Sequence, residues 1–444
     1  MASIGKQYLP QIENLESKSS AIFKDSNYRI TVLTERLVRL EFSVDGTFND
    51  KETILVKNRN FPVPVFKVEQ DEKYLVIKTK YFTLQYLKNK PFLGQKFAPD
   101  TNLKVLLNGT DKMWYYSHPE ARNYKTTGIS LDNIEGNKHK EVKGLYSTDG
   151  FVMIDDSNNQ YLDESGYLKE NGSKNIDIYL IMYKRDFGLC LKDYFTLTGY
   201  PPLIPRYALG IWWNRDRIYG FEDIKKLIDS FQKHQIPLSV LLLGEFWHIK
   251  DEKNYNLYKS GYTFNPKLFP NPQEFTKYLH EHNIRLGINI DPTEGIRKEE
   301  FCYPYVNQEL GKNGTATIPF NAYDRVFMSL YVEKIITPLL SVGVDFFWID
   351  YKKNLRNLQA LNYYHVNYYN DKLMRPLILS RNPLVAPHLY PVHYSGETVV
   401  SWDTLKYLTR YNALASNNGL SWWSHDVGGY KDGTEDSELY LRYV

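Results

Sequence analysis

The sequence predicts a β-sandwich followed by an α/β domain, a (β/α)8 TIM-type barrel that lacks its last strand. Three observations predict it. Residues 1–190 run in short alternating apolar bursts split by turn signals, with few helical periods. The stretch "LTGYPPLIPRYALG" (197–210) then sets prolines at 201, 202 and 205, which no continuous element tolerates. Beyond it the rhythm becomes strand then helix, repeated, and apolar strands alternating with helices imply a parallel sheet. The expected division is 1–195 for the sandwich and 196–444 for the barrel.

In the first part, "YRITVLTERLVRLEFSV" (28–44), "YLVIKTKYFTLQYL" (74–87) and "IDIYLIMY" (176–183) read as strands, with "VDGTFND" and "NGTDK" as turns. In the second, "YALGIWW" (207–213) is strand one. "GFEDIKKLIDSFQKHQI" (220–236) is an amphipathic helix, with Ile224, Leu227, Ile228 and Phe231 at helical spacing. Strand two is "PLSVLLLGE" (237–245), then a helix over 271–284, and "RLGINID" (285–291) is strand three. A helix covers about 323–341, and "VDFFWID" (344–350) is strand four. Strands five, six and seven are "RPLILSR" (375–381), "YPVHYSG" (390–396) and "NGLSWWSHD" (418–426). The chain stops in "EDSELYLRYV", where Asp436 or Ser437 caps a new helix, so strand eight is expected beyond Val444. A barrel one strand short has two open edges, so residues 1–444 are expected to be inactive or aggregation-prone as they stand.

Bulk numbers exclude several classes. A hydrophobic content of 42% fills real cores, and a net charge of +3 over 444 residues offers no basic stripe for nucleic acid. The N-terminus "MASIGKQYLPQIENLES" has no apolar signal-peptide core, and no apolar run reaches the ~18 residues of a membrane span. Cys190 and Cys302 are too few for a disulfide framework. The expectation is a cytoplasmic protein with no membrane or nucleic-acid partner. The run "KHKEVK" (138–143) reads as a solvated face, and "HEH" (280–282) as a helix face without a third metal ligand.

In such a barrel the chemistry sits at the C-terminal strand ends. Strand one ends in Trp213, Asn214, Arg215 and Asp216; strand two in Glu245, Trp247 and His248; strand three in Asn289 and Asp291. Strand four ends in Trp348, Asp350 and Tyr351, strand five in Arg381, and strand six in Tyr394 and Glu397. Strand seven ends in Trp422, Trp423, His425 and Asp426. Carboxylates and Arg grip hydroxyls, and indoles cover the apolar face of a sugar. Two carboxylates on different strands suit glycoside hydrolysis, one attacking the anomeric carbon, the other protonating the leaving oxygen. Asp350, rigid at the end of a buried strand, is the nucleophile candidate; Glu397 is the acid/base candidate, with Asp403 as its rival. In the pairs Trp212–Trp213 and Trp422–Trp423 one ring points inward and one outward, because strand side chains alternate. No nucleotide motif is present, and the two-carboxylate reaction needs no metal or cofactor.

These strand ends resemble glycoside hydrolase family 31, the retaining α-glucosidase family, over nearly the whole chain. "WID" (348–350) looks like its W-x-D nucleophile motif, which implies Asp350 as nucleophile. "LSR" (379–381) looks like its strand-five arginine, which implies Arg381 on a sugar hydroxyl. "SGETVVSW" looks like its acid/base segment and implies Glu397, where the family usually has Asp; "SHDVGG" (424–429) implies His425 and Asp426 in the sugar subsite. "GLYSTDGFVMIDDS" (144–157) leads out of the sandwich as in that family. Two segments depart from the pattern. "LLLGEFWH" (241–248) has Gly244 and Phe246 where acids are usual, with Glu245 as a substitute, and Tyr351-Lys352 replaces Met-Asn. Trp348, Trp423, Glu245 and Asp291 complete the expected substrate-binding set. The resemblance implies an α-glycosidase acting on a small carbohydrate; a transglycosidase and a non-catalytic sugar-binding homologue are its alternatives.

Overall fold

The computed structural model describes residues 4–94, 101–132, 141–250, 260–312, 314, 316–351 and 353–444. Lys352 and the first half of the 138–143 run lie outside the described residues. The N-terminal part holds two five-stranded antiparallel sheets. One runs in the order Ile22–Lys24, Tyr28–Val32, Leu37–Phe42, Ile176–Met182, Phe151–Asp155; the other runs sequentially from Lys67–Gln70 to Met113–Tyr115. Every second residue of Phe82–Leu87 is buried, the period-two pattern of a half-buried strand. Ile30, Leu40, Ile178 and Leu180 of the first sheet share one buried cluster with Leu75, Ile77, Leu84 and Val105 of the second. Burying each such side chain contributes roughly 1.5–3 kcal/mol.

The first sheet is covered on its other face too. Helix Phe187–Thr198 lays Cys190, Tyr194 and Leu197 on Leu37, Val152 and Ile181, while Asn49 and Asp50 cover Arg39 and Arg29 covers Glu41, so all of Leu37–Phe42 is buried. The expected division at 195 therefore falls inside a helix that packs with the N-terminal sheets. That helix ends at Gly199, whose φ of 97° leaves the helical region, and the proline-rich stretch follows.

The second part is one seven-stranded parallel sheet in sequential order: Ile211–Trp213, Leu238–Leu243, Arg285–Ile290, Phe346–Ile349, Ile378–Ser380, His393–Tyr394, Trp423–Ser424. Strands one and seven are its two ends. Several strands are shorter than expected. Residues Arg206–Leu209 form a 3-10 turn ahead of strand one, and strand six begins only after Pro391, which has no N–H for a ladder. Alternation sorts the side chains. Val240, Leu242, Phe346, Trp348, Leu379 and Tyr394 form the inner cluster, with Trp212 and Trp422 against it. Leu241, Ile288, Ile290, Phe347 and Ile349, with Trp213 beside them, face the helices.

The helices start where the sequence puts caps. Asn271 accepts from Glu274 N–H ahead of Pro272–Glu281, and Asp324 accepts from Phe327 N–H ahead of the 325–342 helix. That helix holds a π turn at Val332–Ile336, which accommodates Pro338: its ring would clash with the carbonyl one turn back. Asp436 caps Ser437–Tyr443, accepting from Glu438 and Leu439 N–H. No described helix is long and apolar enough to cross a membrane.

Candidate active site

A cavity of about 600 Å³ opens at the C-terminal ends of the barrel strands. Alternation within strand four puts Ile349 among the helices and turns Trp348 and Asp350 to the cavity wall. Asp350 N–H donates to the Ile290 carbonyl at 3.0 Å, so the ladder continues through the carboxylate residue and fixes it. Trp348 is T-shaped on Tyr394 at 5.8 Å, and its buried indole N–H has no hydrogen-bond partner.

Glu397 reaches the cavity from the loop after strand six. Its backbone N–H donates to Asp132 Oδ1 at 2.7 Å. Gly396 makes that approach possible: its φ is 105°, and a Cβ there would stand 2.5 Å from Asp132 Oδ1. Asp132 also accepts from Arg381 Nε at 3.0 Å through Oδ2.

Arg381 joins the two candidate catalytic carboxylates. Nη1 donates to Asp350 Oδ1, and Nη2 donates to the Tyr394 hydroxyl at 2.7 Å and lies 3.6 Å from Glu397 Oε1. Burial works against its charge, but Asp350, Tyr394 and Asp132 outweigh it and hold the guanidinium charged. Two carboxylates on one guanidinium lie well inside the ~10 Å at which a two-carboxylate displacement fails. Arg381 itself is 1% exposed and sits behind the cavity wall, engaged with protein groups where a sugar hydroxyl was expected.

Glu245 and Asp291 line the cavity as expected. Glu245 faces buried Lys250 at 3.3 Å. Asp291 accepts from Thr293 N–H at 2.9 Å; burial, with Asp350 adding, pushes its carboxyl up to about 6. Asp426 sits close behind. Burial, then the charges of Glu397 and Asp132, push it up to about 7, and Oδ2 has no hydrogen-bond partner.

Trp423 and His425 of the expected substrate-binding set lie elsewhere. Trp423 packs on the cluster of helix Trp402–Ser416 and donates its indole N–H to Asn412 at 2.7 Å. His425 is edge-on to Tyr411 at 5.1 Å with Nε2 2.9 Å from Asn412 Oδ1, and burial pushes it down to about 4. Both are one step out of phase with inward-facing Trp422, so both meet the helix side. Trp247 and His248 are buried away from the cavity. Asp403 is exposed in the first turn of helix Trp402–Ser416, whose cap is Ser401, accepting from Thr404 N–H. His280 of the HEH stretch bonds Asp345 at 2.8 Å.

Sequence reasoning missed Asp132, Lys431, Lys353 and Tyr430, and left Asp216 out of the chosen set. Asp216, Lys353, Tyr430 and Lys431 line the cavity. Lys431 Nζ is 2.7 Å from Glu397 Oε2. Asp132 carries no local signal, because it comes from the N-terminal part and meets the site only in three dimensions. Alternation gives a signal for placing Trp423 and His425: counted from an inward Trp422, it picks Asp426 and rejects both.

The family model described as "Glycosyl hydrolases family 31 TIM-barrel domain" matches residues 201–444, more than half of the chain. An "Alpha-xylosidase" of Saccharolobus solfataricus is 25% identical over 351 residues, 71% of this chain and 46% of that protein. An α-xylosidase of Lactiplantibacillus pentosus is 23% identical over 386 residues, 76% of this chain and 49% of that protein. The chain thus spans about half the length of these curated relatives. The crystal structure of a GH31 α-xylosidase from a soil metagenome, complexed with xylose, superposes with a TM-score of 0.66 at 15% identity, covering 95% of this chain and 74% of that one. A Flavobacterium johnsoniae GH31 dextranase complexed with glucose gives 0.64 at 14%, covering 95% and 62%. At these identities the superposition speaks for the fold. The barrel match, by contrast, spans the strand ends that build the cavity, and this chain belongs to glycoside hydrolase family 31.

Proposed function

We propose that this chain carries the catalytic core of a retaining α-glycoside hydrolase that removes a terminal α-linked sugar from an oligosaccharide or glycoside. The observation that supports it most is the Asp350–Arg381–Glu397 cluster at the cavity. In step one an Asp350 carboxylate oxygen bonds to the anomeric carbon. The bond to the leaving oxygen breaks, its electron pair stays on that oxygen, and the Glu397 proton goes to it. In step two water gives a proton to Glu397 and its oxygen to the anomeric carbon, and the ester bond to Asp350 breaks. Trp348, with its free indole N–H, and Asp291 and Glu245 on the wall orient the sugar. Arg381 holds the two acting carboxylates in register, a positioning role instead of a sugar contact.

The N-terminal two-sheet body, read as a β-sandwich, ends with the helix at Thr198, and it supplies Asp132 to the barrel's site. The buried, unpaired Cys190 and Cys302 support a reducing, cytoplasmic setting. The names of the relatives put α-xylosides and α-glucosides first among substrates.

A screen of aryl α-glycosides (xyloside, glucoside, galactoside, N-acetylgalactosaminide) with NMR detection of the released anomer tests the proposal. The expected first product is the α-anomer. A β-anomer overturns retention. Sugar binding by calorimetry without turnover replaces the enzyme by a binding homologue, and glycosyl transfer to an added acceptor in preference to water replaces the hydrolase by a transglycosidase.

A further inference from the structure

We infer that Lys431 is a positioning residue for Glu397: its ammonium seats on the carboxylate in the free protein and yields that seat to the leaving group. The inference rests on the reading of Glu397 as acid/base and adds a device that controls when it acts.

The backbone pins Lys431 beside the segment that follows Glu397. Val399–Val400 pairs in parallel with Lys431–Gly433, with Val399 opposite Lys431. The N–H groups of Tyr430 and Lys431 both donate to the Thr398 carbonyl, at 2.8 and 3.2 Å. The glycines of "GGYKDG" allow this closeness: a Cβ on Gly429 would stand 2.8 Å from the Val400 backbone, and one on Gly433 2.1 Å from its carbonyl oxygen. From there the Lys431 side chain crosses to the cavity wall and meets Glu397 Oε2 at 2.7 Å. The extra methylene of a glutamate carries this carboxylate further from its backbone than an aspartate would reach.

Glu397 sits among opposed charges. Arg381 from strand five and Lys431 favour its ionised form. Asp132 from the N-terminal part, Asp350 from strand four and Asp426 after strand seven favour its protonated form, with the Tyr394 and Tyr430 hydroxyls nearby. Arg381 is buried and tied to Asp350, Asp132 and Tyr394. Lys431 stands on the wall with its side chain 33% exposed, so of these two cations it is the one a ligand can displace. Among the described residues, its displacement leaves Asp132, Asp350 and Asp426 facing Glu397 with Arg381 as the cation against it and Lys353 further along the cavity wall, and Glu397 takes a proton from solvent. That proton is the one passed to the leaving oxygen as the bond to the anomeric carbon breaks toward that oxygen. Once the leaving group has gone, Lys431 returns and restores the carboxylate that accepts the proton of water in step two.

The test uses Lys431→Met and Lys431→Arg in the 444-residue chain. Carboxyl NMR on glutamate-labelled protein follows the Glu397 midpoint, its signal identified by loss in Glu397→Gln. Removing an adjacent opposite charge moves a carboxyl by about 1–3 pH units. Lys431→Met is expected to move the Glu397 midpoint up by about 1 unit or more, with Lys431→Arg close to wild type. The basic limb of kcat/KM moves up by the same amount, and aryl glycosides with poorly acidic leaving groups gain relative to those with strongly acidic ones. A purely structural lysine changes all leaving groups alike. An unmoved midpoint in folded Lys431→Met overturns the inference. A moved midpoint with an unmoved pH profile and unmoved leaving-group preference of hydrolysis keeps the lysine contact and sinks the reading of Glu397 as acid/base, so the two failures are distinct.

Discussion

Two of the buried arginine clusters among the described residues, one in each part, do different things. In the N-terminal sheets Arg39 is bound by Asp177, Asp50 and Glu41, with Arg29 on the same Glu41 and Asp50. Arg59 lies beside Asp156 at 3.7 Å, both fully buried. At the barrel mouth Arg381 is bound by Asp350, Asp132 and Tyr394, with Lys431 completing Glu397. The first cluster pairs strands with a covering loop; none of its members lines the barrel cavity. The second opens onto about 600 Å³ and is bordered by polar atoms left unbonded, Trp348 Nε1 and Asp426 Oδ2. A buried guanidinium among carboxylates is thus no mark of a site by itself. Access to the cavity is what separates the two, since Arg59 Nη2 in the first cluster is also left without a hydrogen-bond partner.

The largest expected difference is in turnover. Asp350→Ala removes the proposed nucleophile and is expected to lower kcat by at least ~10³-fold while the fold persists. Asp177→Ala removes a carboxylate from Arg39 at the corresponding place in the other cluster. It is expected to lower stability and leave kcat per folded molecule unchanged. Urea unfolding beside steady-state kinetics on both variants checks this. Equal losses of kcat in the two would erase the contrast.

Next come the arginines. Arg39→Met and Arg381→Met each strand carboxylates that a cation had neutralised, at a cost of about 3–5 kcal/mol of stability. In Arg381→Met turnover is lost as well, because Asp350 and Glu397 no longer share an anchor.

A smaller effect is a pH dependence that the two clusters share. Burial, then Glu397 and Asp132, push the Asp426 carboxyl up to about 7, against ~3.9 in an unfolded chain. Between those values the folded chain holds a proton that the unfolded chain has released. Stability therefore falls as pH rises from about 4 to about 7. Asp426→Asn removes that loss and is expected to gain about 1–2 kcal/mol over wild type at pH 8, with none at pH 4, in urea titrations across pH. Asp291, raised to about 6, and Asp156, raised to about 7, act with the same sign, so the pH dependence flattens only in part.

How far this was legible in the sequence follows from range of interaction. Asp350 was, because a buried strand ending in a carboxylate is a local pattern and the fold supplies its meaning. The seven-strand rhythm was, because each strand and helix carries its own periodicity. Asp132 was not: the contact that gives it meaning is made with Glu397, 265 positions away. Lys431 was not, since its place depends on the two-residue ladder with Val399–Val400, too short to show as a pattern. Trp423 and His425 were misplaced because strand seven is two residues long and leaves the phase of its alternation open.

The smallest effect concerns the rival acid. Asp403 and Glu397 are six positions apart, and the helix start at Trp402 separates their fates. Ser401 is the cap, so Ser401→Ala is expected to cost about 1 kcal/mol of stability. Asp403 lies in the first turn, where a carboxylate meets the positive end of the helix, so Asp403→Asn is expected to cost about 0.5 kcal/mol. Neither side chain lines the cavity, so neither variant is expected to change kcat or its pH profile. Glu397→Gln, by contrast, removes the proton donor and is expected to slow glycosides with poor leaving groups by about 10²–10⁴-fold. Added azide, a small nucleophile that needs no general base, restores release of the covalent intermediate in that variant alone. If azide rescued Asp403→Asn instead, the acid would belong to the helix and the Asp350–Arg381–Glu397 cluster would lose its second working member.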